Sequence, residues 1–349
     1  MIILGYIIER RTIEMAILSD YKQIHSPGID SLEMVNIGGI QQALYFRGEN
    51  IKNPVILFLH GGPGWPEIPF LHDFQYPWEA HFTIVHWDQR NAGKTFFQND
   101  PEAVLETLCF ERALEDAQEV TLYIKKRLNQ HKIIILGYSW GSVLGSALVK
   151  QFPENFLIYI GLGQAINLIE NERIGFNKLL ELVMAKGDDE EIKSVKSLAP
   201  YPPPKDTAYE IFVAQLFKIR GWQIKYGIAT GSELKHILLS SPYYTEKDKE
   251  YYGVNISKYQ RPIFEYLLEF DIHTIGTTYD IPMVYIMGER DYQTPHILAK
   301  EFFEKISAPY KAFYLIPNAG HGAMHDNKEE FNRVLLQEIN SMIQSYIKV

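Results

Sequence analysis

Several short stretches of this chain are apolar at consecutive positions, and most stop at a glycine or a charged side chain. Residues 54–59 read Pro-Val-Ile-Leu-Phe-Leu and end in His60-Gly61-Gly62-Pro63-Gly64. Residues 82–87 end in Asp88-Gln89-Arg90, and residues 132–136, 156–160, 281–287 and 311–316 have the same character. A strand with one wet face alternates apolar and polar residues, so a run that is apolar at both parities must be covered on both sides. A sheet between two layers of helices provides that cover, and parallel neighbours need helical crossovers in any case. The intervening sequence supplies them. A helix is expected over 101–129, with Asp100 at its start and Lys125, Lys126 and Arg127 in its last turn, where the helix dipole favours cations. Further helices are expected over 142–151, 295–306 and 329–347. Residues 31–37 and 40–46 flank Gly38-Gly39 and read as a hairpin. The expected class is α/β, a mostly parallel sheet flanked by helices.

The alternation stops near Gly163 and resumes near Ile281. Between them the sequence is helical in character, broken by Pro200-Tyr-Pro-Pro-Pro204 and rich in Tyr and Phe. The expected organisation is an N-terminal extension over 1–30, a core over 31–162 and 275–349, and a helical lid over 163–274, inserted after strand 6. Aromatic residues make up 13% of the chain, with 22 Tyr, 19 Phe and 5 Trp. Their crowding in the lid is expected to build an apolar pocket wall.

A formal charge of -9 and a pI near 5.7 leave no basic stripe for phosphates, which argues against nucleic acid or an anionic membrane as partner. One cysteine, Cys109, permits no internal disulfide and suits a cytoplasmic location. The apolar run at 1–8 is too short for a secretory signal and has no basic residues before it, so an extra strand or an ordered arm is expected there. No stretch reaches the length of a membrane span. The histidines are scattered without a ligand pattern, so neither a metal nor another cofactor is expected.

Gly137-Tyr138-Ser139-Trp140-Gly141 has the form G-x-S-x-G and lies between an apolar strand and a helix. That context suits a sharp turn that holds Ser139 up at the carboxyl edge of the sheet, with glycines where neighbouring side chains would collide. The glycines after His60 let backbone NH groups approach an oxyanion. A serine nucleophile needs a base, and the base needs an orienting acid. Gly288-Glu289-Arg290-Asp291 follows one late strand and offers Asp291, with Glu289 as competitor. Gly320-His321-Gly322 follows the last strand and offers His321, with His325 as the weaker candidate. Asp88 and Arg90 are expected to shape the loop beneath the site through a buried charge pair. Gly93-Lys94-Thr95 is no phosphate loop, because Asp88 stands where that motif needs glycine.

These motifs, in this order, resemble α/β-hydrolases of the proline iminopeptidase branch, peptidase family S33. The resemblance rests on His60-Gly-Gly-Pro-Gly64, Trp87-Asp-Gln-Arg90, Gly137-Tyr-Ser-Trp-Gly141, Gly288-Glu-Arg-Asp291 and Gly320-His321. It implies an α/β-hydrolase fold with a lid, Ser139 as nucleophile completed by Asp291 and His321, and an oxyanion hole from the NH groups of Gly62 and Trp140. The chain departs from the family at Asn91-Ala92-Gly93-Lys94-Thr95. It departs again at Tyr292, where some relatives carry a glutamate for the substrate's ammonium. Glu170 and Glu172 in the lid are candidates to replace it, and Tyr138 and Tyr292 are further candidates to contact substrate. The implied activity is release of a small N-terminal residue, such as proline, from a short peptide. An esterase, lactonase or amidase acting on an uncharged acyl group is the alternative, and a catalytically dead fold used for binding is a third. Dehalogenase and epoxide hydrolase activities are disfavoured, since those relatives have Asp in place of Ser139.

Overall fold

The computed structural model describes residues 22–230 and 233–347. The expectation for residues 1–8 lies outside the described residues. Eight strands form one sheet in the order β1-β2-β4-β3-β5-β6-β7-β8. The hairpin strands β1 (Ile29–Ile37) and β2 (Ile40–Gly48) are antiparallel, and β2 runs antiparallel to β4 (Thr83–Asp88). The others are β3 (Val55–Leu59), β5 (Ile133–Tyr138), β6 (Phe156–Leu162), β7 (Met283–Gly288) and β8 (Lys311–Ile316). From β4 to β8 every neighbouring pair is parallel.

Both faces of the sheet are covered, as the two-parity apolar runs require. In β3, Val55, Leu57 and Leu59 enter one hydrophobic core while Ile56 and Phe58 enter the other. β5 divides in the same way, with Ile133 and Ile135 against Ile134 and Leu136. The strand order reverses around β3, whose neighbours are β4 and β5. At such a switch point the loops after adjacent strands diverge to opposite sides, leaving a crevice at the carboxyl ends.

Two expected helices differ. The single helix over 101–129 is two, Pro101–Thr107 and Phe110–Arg127. Leu108 leaves helical geometry at ψ 116°, and Cys109 is extended, its Sγ accepting from the Arg112 NH at 3.4 Å. The break puts Leu108 into the core and lets Phe110 stack on Tyr266 at 4.1 Å between ring centroids. Tertiary packing overrides a helical pattern that Asp100, which caps Glu102, begins as expected. The closing helix is also segmented, with a wider π-type turn over Arg333–Ile339 between Lys328–Asn332 and Asn340–Ile347.

Between β6 and β7 the chain leaves the sheet for a helical excursion that includes Leu168–Lys186, Asp189–Lys196, Tyr209–Lys225 and Arg261–Glu269. Its ends meet: Asn167 and Asp271 form an antiparallel bridge, and the Ile272 NH donates to the Ile166 carbonyl at 2.9 Å. The excursion has small cores of its own, one around Phe176, Leu179, Val195 and Ile219, another around Phe212, Leu216 and Phe264. Several of its tyrosines have a different use from the apolar wall the sequence suggests, because their hydroxyls pin it to the sheet's loops. Tyr244 donates to Asp88 Oδ2 at 2.6 Å, and the Tyr251 hydroxyl lies 2.9 Å from the carbonyls of both Gly64 and Asn91. Tyr252 donates to the Pro66 carbonyl at 2.9 Å.

Candidate active site

Ser139 stands between the end of β5 and the helix Trp140–Gln151 with φ 54° and ψ -116°, a conformation that non-glycine residues rarely adopt. The strain is held by close packing on both sides of the turn. A Cβ on Gly137 would lie 2.5 Å from the Gly141 carbonyl oxygen, and one on Gly141 would lie 2.0 Å from that of Leu59. We therefore expect Gly141→Ala to cost about 3 kcal/mol or more, since the obstruction is backbone and cannot swing away. Urea unfolding beside wild type measures this, and an unchanged midpoint would contradict it.

The Ser139 NH donates to the Leu162 carbonyl at 3.0 Å, tying the elbow to the end of β6. The next residue, Gly163, packs directly on the His321 ring: a Cβ there would lie 3.1 Å from Cε1 and 3.2 Å from Nδ1. Ser139 and His321 thus flank the same strand end. Tyr138 is buried and lies tilted against the His321 ring at 5.1 Å between centroids.

His321 Nδ1 is 2.8 Å from Asp291 Oδ2, with both side chains buried. Asp291 also accepts from the backbone NH groups of Gln293 and Thr294, each at 2.9 Å to Oδ1, and from the Thr294 hydroxyl at 2.8 Å to Oδ2. Burial opposes the charge on Asp291. The His321 ring and the Thr294 hydrogen bonds outweigh it and hold the carboxyl below its usual range. With Nδ1 engaged by a carboxylate, Nε2 is the nitrogen left to exchange protons. The competitors for these places are occupied elsewhere: Glu289 is exposed and accepts from the Asn318 NH at 2.9 Å, and His325 Nδ1 is 2.8 Å from Asp73. Thr294 escaped the sequence reading, although a threonine three residues after an aspartate in a turn is a recognisable cap pattern.

The glycine loop after β3 lies against the elbow, for a Cβ on Gly61 would come within 3.2 Å of Ser139 Cβ. Gly62 has φ 109°, and a Cβ there would lie 2.6 Å from the Gly64 nitrogen. Trp140 is the first residue of its helix, so its NH has no partner within the helix. Its indole NH donates to Gln89 at 2.9 Å, bracing the elbow against the loop after β4. His60 joins the two loops: Nδ1 is 2.8 Å from the Gly61 carbonyl, and Nε2 accepts from the Gln89 NH at 3.3 Å. Burial pushes His60 down to about 4, so it serves there as a neutral ring.

The charge pair expected of Asp88 and Arg90 is drawn differently. Arg90 Nε pairs with Asp116 Oδ2 at 2.5 Å, across to the helix Phe110–Arg127. Asp88 Oδ2 accepts from the Lys94 NH and the Tyr244 hydroxyl, and burial pushes its carboxyl up to about 7. Asp88 is the last residue of β4 and Arg90 lies in the loop beyond it, and each side chain meets a different neighbour.

Neither of the two glutamates expected to meet the substrate's ammonium lacks a cation. Glu170 is on the helix surface, paired with Arg173 one turn on. Glu172 is fully buried, bonded to Arg220 and to the Tyr201 hydroxyl at 2.6 Å. Tyr292 is half-buried; its NH donates to the Ile228 carbonyl at 3.1 Å, and Lys178 lies over its ring. Among the described residues no cluster of three or more His, Cys, Asp or Glu is arranged to hold a metal. No helix among them is long and apolar enough to cross a membrane.

Sheet order, crossovers, the serine elbow and the residues at the strand ends define an α/β-hydrolase fold, and residues 54–183 match a family model described as alpha/beta hydrolase fold. The chain is similar to a protein of Bacillus subtilis (strain 168) named probable aminopeptidase YbaC, 26% identical over 83% of this chain and 90% of that protein. A probable proline iminopeptidase of Leptolyngbya boryana is 28% identical over 36% of each chain. Among solved structures, a proline iminopeptidase-related protein from Thermus thermophilus superposes with a TM-score of 0.65, at 19% identity, over 91% of this chain and 99% of that one.

Proposed function

We propose that this protein is a serine hydrolase that releases a small N-terminal residue, such as proline, from short peptides. The observation that carries the mechanism is the buried His321–Asp291 pair at 2.8 Å, set on the same strand end as the strained Ser139. Ser139 Oγ attacks the carbonyl carbon of the first residue while His321 Nε2 takes its proton, and the NH groups of Gly62 and Trp140 receive the oxyanion. The intermediate collapses as His321 returns that proton to the departing peptide nitrogen, leaving an ester on Ser139. Water then attacks the ester and gives its proton to His321. The acid leaves, and Ser139 regains its hydrogen.

The N-terminal specificity is supported by the aminopeptidase relatives. The second reading, an esterase, lactonase or amidase for an uncharged acyl group, is favoured by the cations already held by Glu170 and Glu172. Turnover of proline 4-nitroanilide, its N-acetyl analogue and a 4-nitrophenyl ester separates the two. The expected order is a strong preference for the free amine over the blocked anilide. Equal turnover of free and blocked anilides would sink the aminopeptidase reading and leave the hydrolase.

A further inference from the structure

Six carboxyl side chains among the described residues are buried: Glu67, Glu79, Asp88, Asp116, Glu172 and Asp291. Glu79 pairs with Arg47, Asp116 with Arg90, Glu172 with Arg220 and Asp291 with His321. Asp88 is spent on the Tyr244 hydroxyl and the Lys94 NH. Glu67 is different. Its side chain is only 3% exposed, and Oε2 has no hydrogen-bond partner among the described residues. The facing ring nitrogen, His325 Nε2, stands off at 3.9 Å, while that ring's Nδ1 is committed to Asp73, which also pairs with Lys328.

The location matters as much as the vacancy. Glu67 lies three residues beyond Gly64, on the glycine loop that approaches Ser139, and its charge acts on both His321 and Tyr138. Aromatic rings line the same loop: Trp65 meets Tyr252 edge-on at 4.8 Å, and Phe70 meets Tyr252 at 5.8 Å. In an N-terminal residue the ammonium nitrogen is one carbon removed from the attacked carbonyl, so its counter-ion must lie beside the triad. A buried carboxylate whose one ionic partner stands 3.9 Å away and is shared with Asp73 is costly to ionise, and an arriving ammonium supplies further charge and N–H donors at hydrogen-bond distance. Ring faces nearby add cation–π attraction. Burial pushes the Glu67 carboxyl above its usual range, with His325 and His321 opposing.

We propose that Glu67 receives the substrate's free α-ammonium group and so sets a preference for an unblocked N-terminus. This rests on the aminopeptidase reading above. The test compares kcat/KM for proline 4-nitroanilide with that for tetrahydrofuran-2-carboxylic acid 4-nitroanilide, which has the same ring size with oxygen in place of the amine. In Glu67→Gln the ratio of the two is expected to fall about 100-fold, mostly through KM of the amine substrate, as for loss of one partner of a buried charge pair. Glu67→Asp keeps the charge on a shorter stem and is expected to give an intermediate ratio, which also serves if the glutamine variant fails to fold. A ratio that stays at the wild-type value in the folded variants overturns the assignment, whether both substrates slow together or neither does. A wild-type enzyme with no preference for the amine overturns the aminopeptidase reading itself, a result separate from the behaviour of the variants.

Discussion

Ser139→Ala is expected to lose turnover by roughly a millionfold in kcat, with KM for the preferred substrate little changed, as when a serine nucleophile is removed from a working triad. The substitution takes away one oxygen and keeps the Cβ, so the φ 54° turn has the same side-chain stem to accommodate. Gly137 and Gly141 hold that turn from both sides, which argues that the fold survives. Thermal unfolding of Ser139→Ala should therefore match or exceed that of wild type. Strain and polarity kept at a catalytic position commonly cost stability, and removing the reactive group often returns some of it.

Asp291→Asn is expected to lower kcat by about ten-thousandfold while substrate binding persists. The geometry dictates the direction. Oδ1 accepts two backbone NH groups, from Gln293 and Thr294, so the amide oxygen must occupy that place. The amide nitrogen is then left at the Oδ2 position, 2.8 Å from His321 Nδ1. Two donors cannot face each other there, so Nδ1 must become the acceptor and the ring proton moves to Nε2. Nε2 is the atom that has to take the proton of Ser139. The variant should fold, since the Thr294 hydroxyl, 2.8 Å from the same oxygen, can turn to accept from the amide. Steady-state kinetics with a 4-nitrophenyl ester reads the loss, and a deficit under tenfold would place the orienting role elsewhere.

Much of the arrangement of this candidate site was legible because its residues follow strand ends. Ser139, Asp291 and His321 each come within a few residues after an apolar run, and a parallel sheet brings such positions to one edge whatever the helices do. The sheet itself was legible for the same reason. What escaped depends on which distant surfaces meet. The break at Leu108 answers to core packing and to the Tyr266 ring, neither visible in a helical pattern. Arg90 is near Asp88 in sequence, but its partner is Asp116 on a helix. The cations on Glu170 and Glu172 differ in kind: Arg173 is one helical turn away and readable, whereas Arg220 comes from another helix. Glu67 carries no local signature at all. Its interest arises from being buried beside the site with Oε2 free of hydrogen bonds and its imidazole partner 3.9 Å away, a property only three-dimensional packing can give it.

The central claim is that Ser139 is an activated nucleophile. Reaction of the wild-type protein with a fluorophosphonate, followed by peptide mass spectrometry, tests it most directly. The account predicts one covalent adduct, located on Ser139, and none on Ser139→Ala under the same conditions. Wild-type protein that stays unlabelled, or an adduct on another residue that persists in Ser139→Ala, would contradict it.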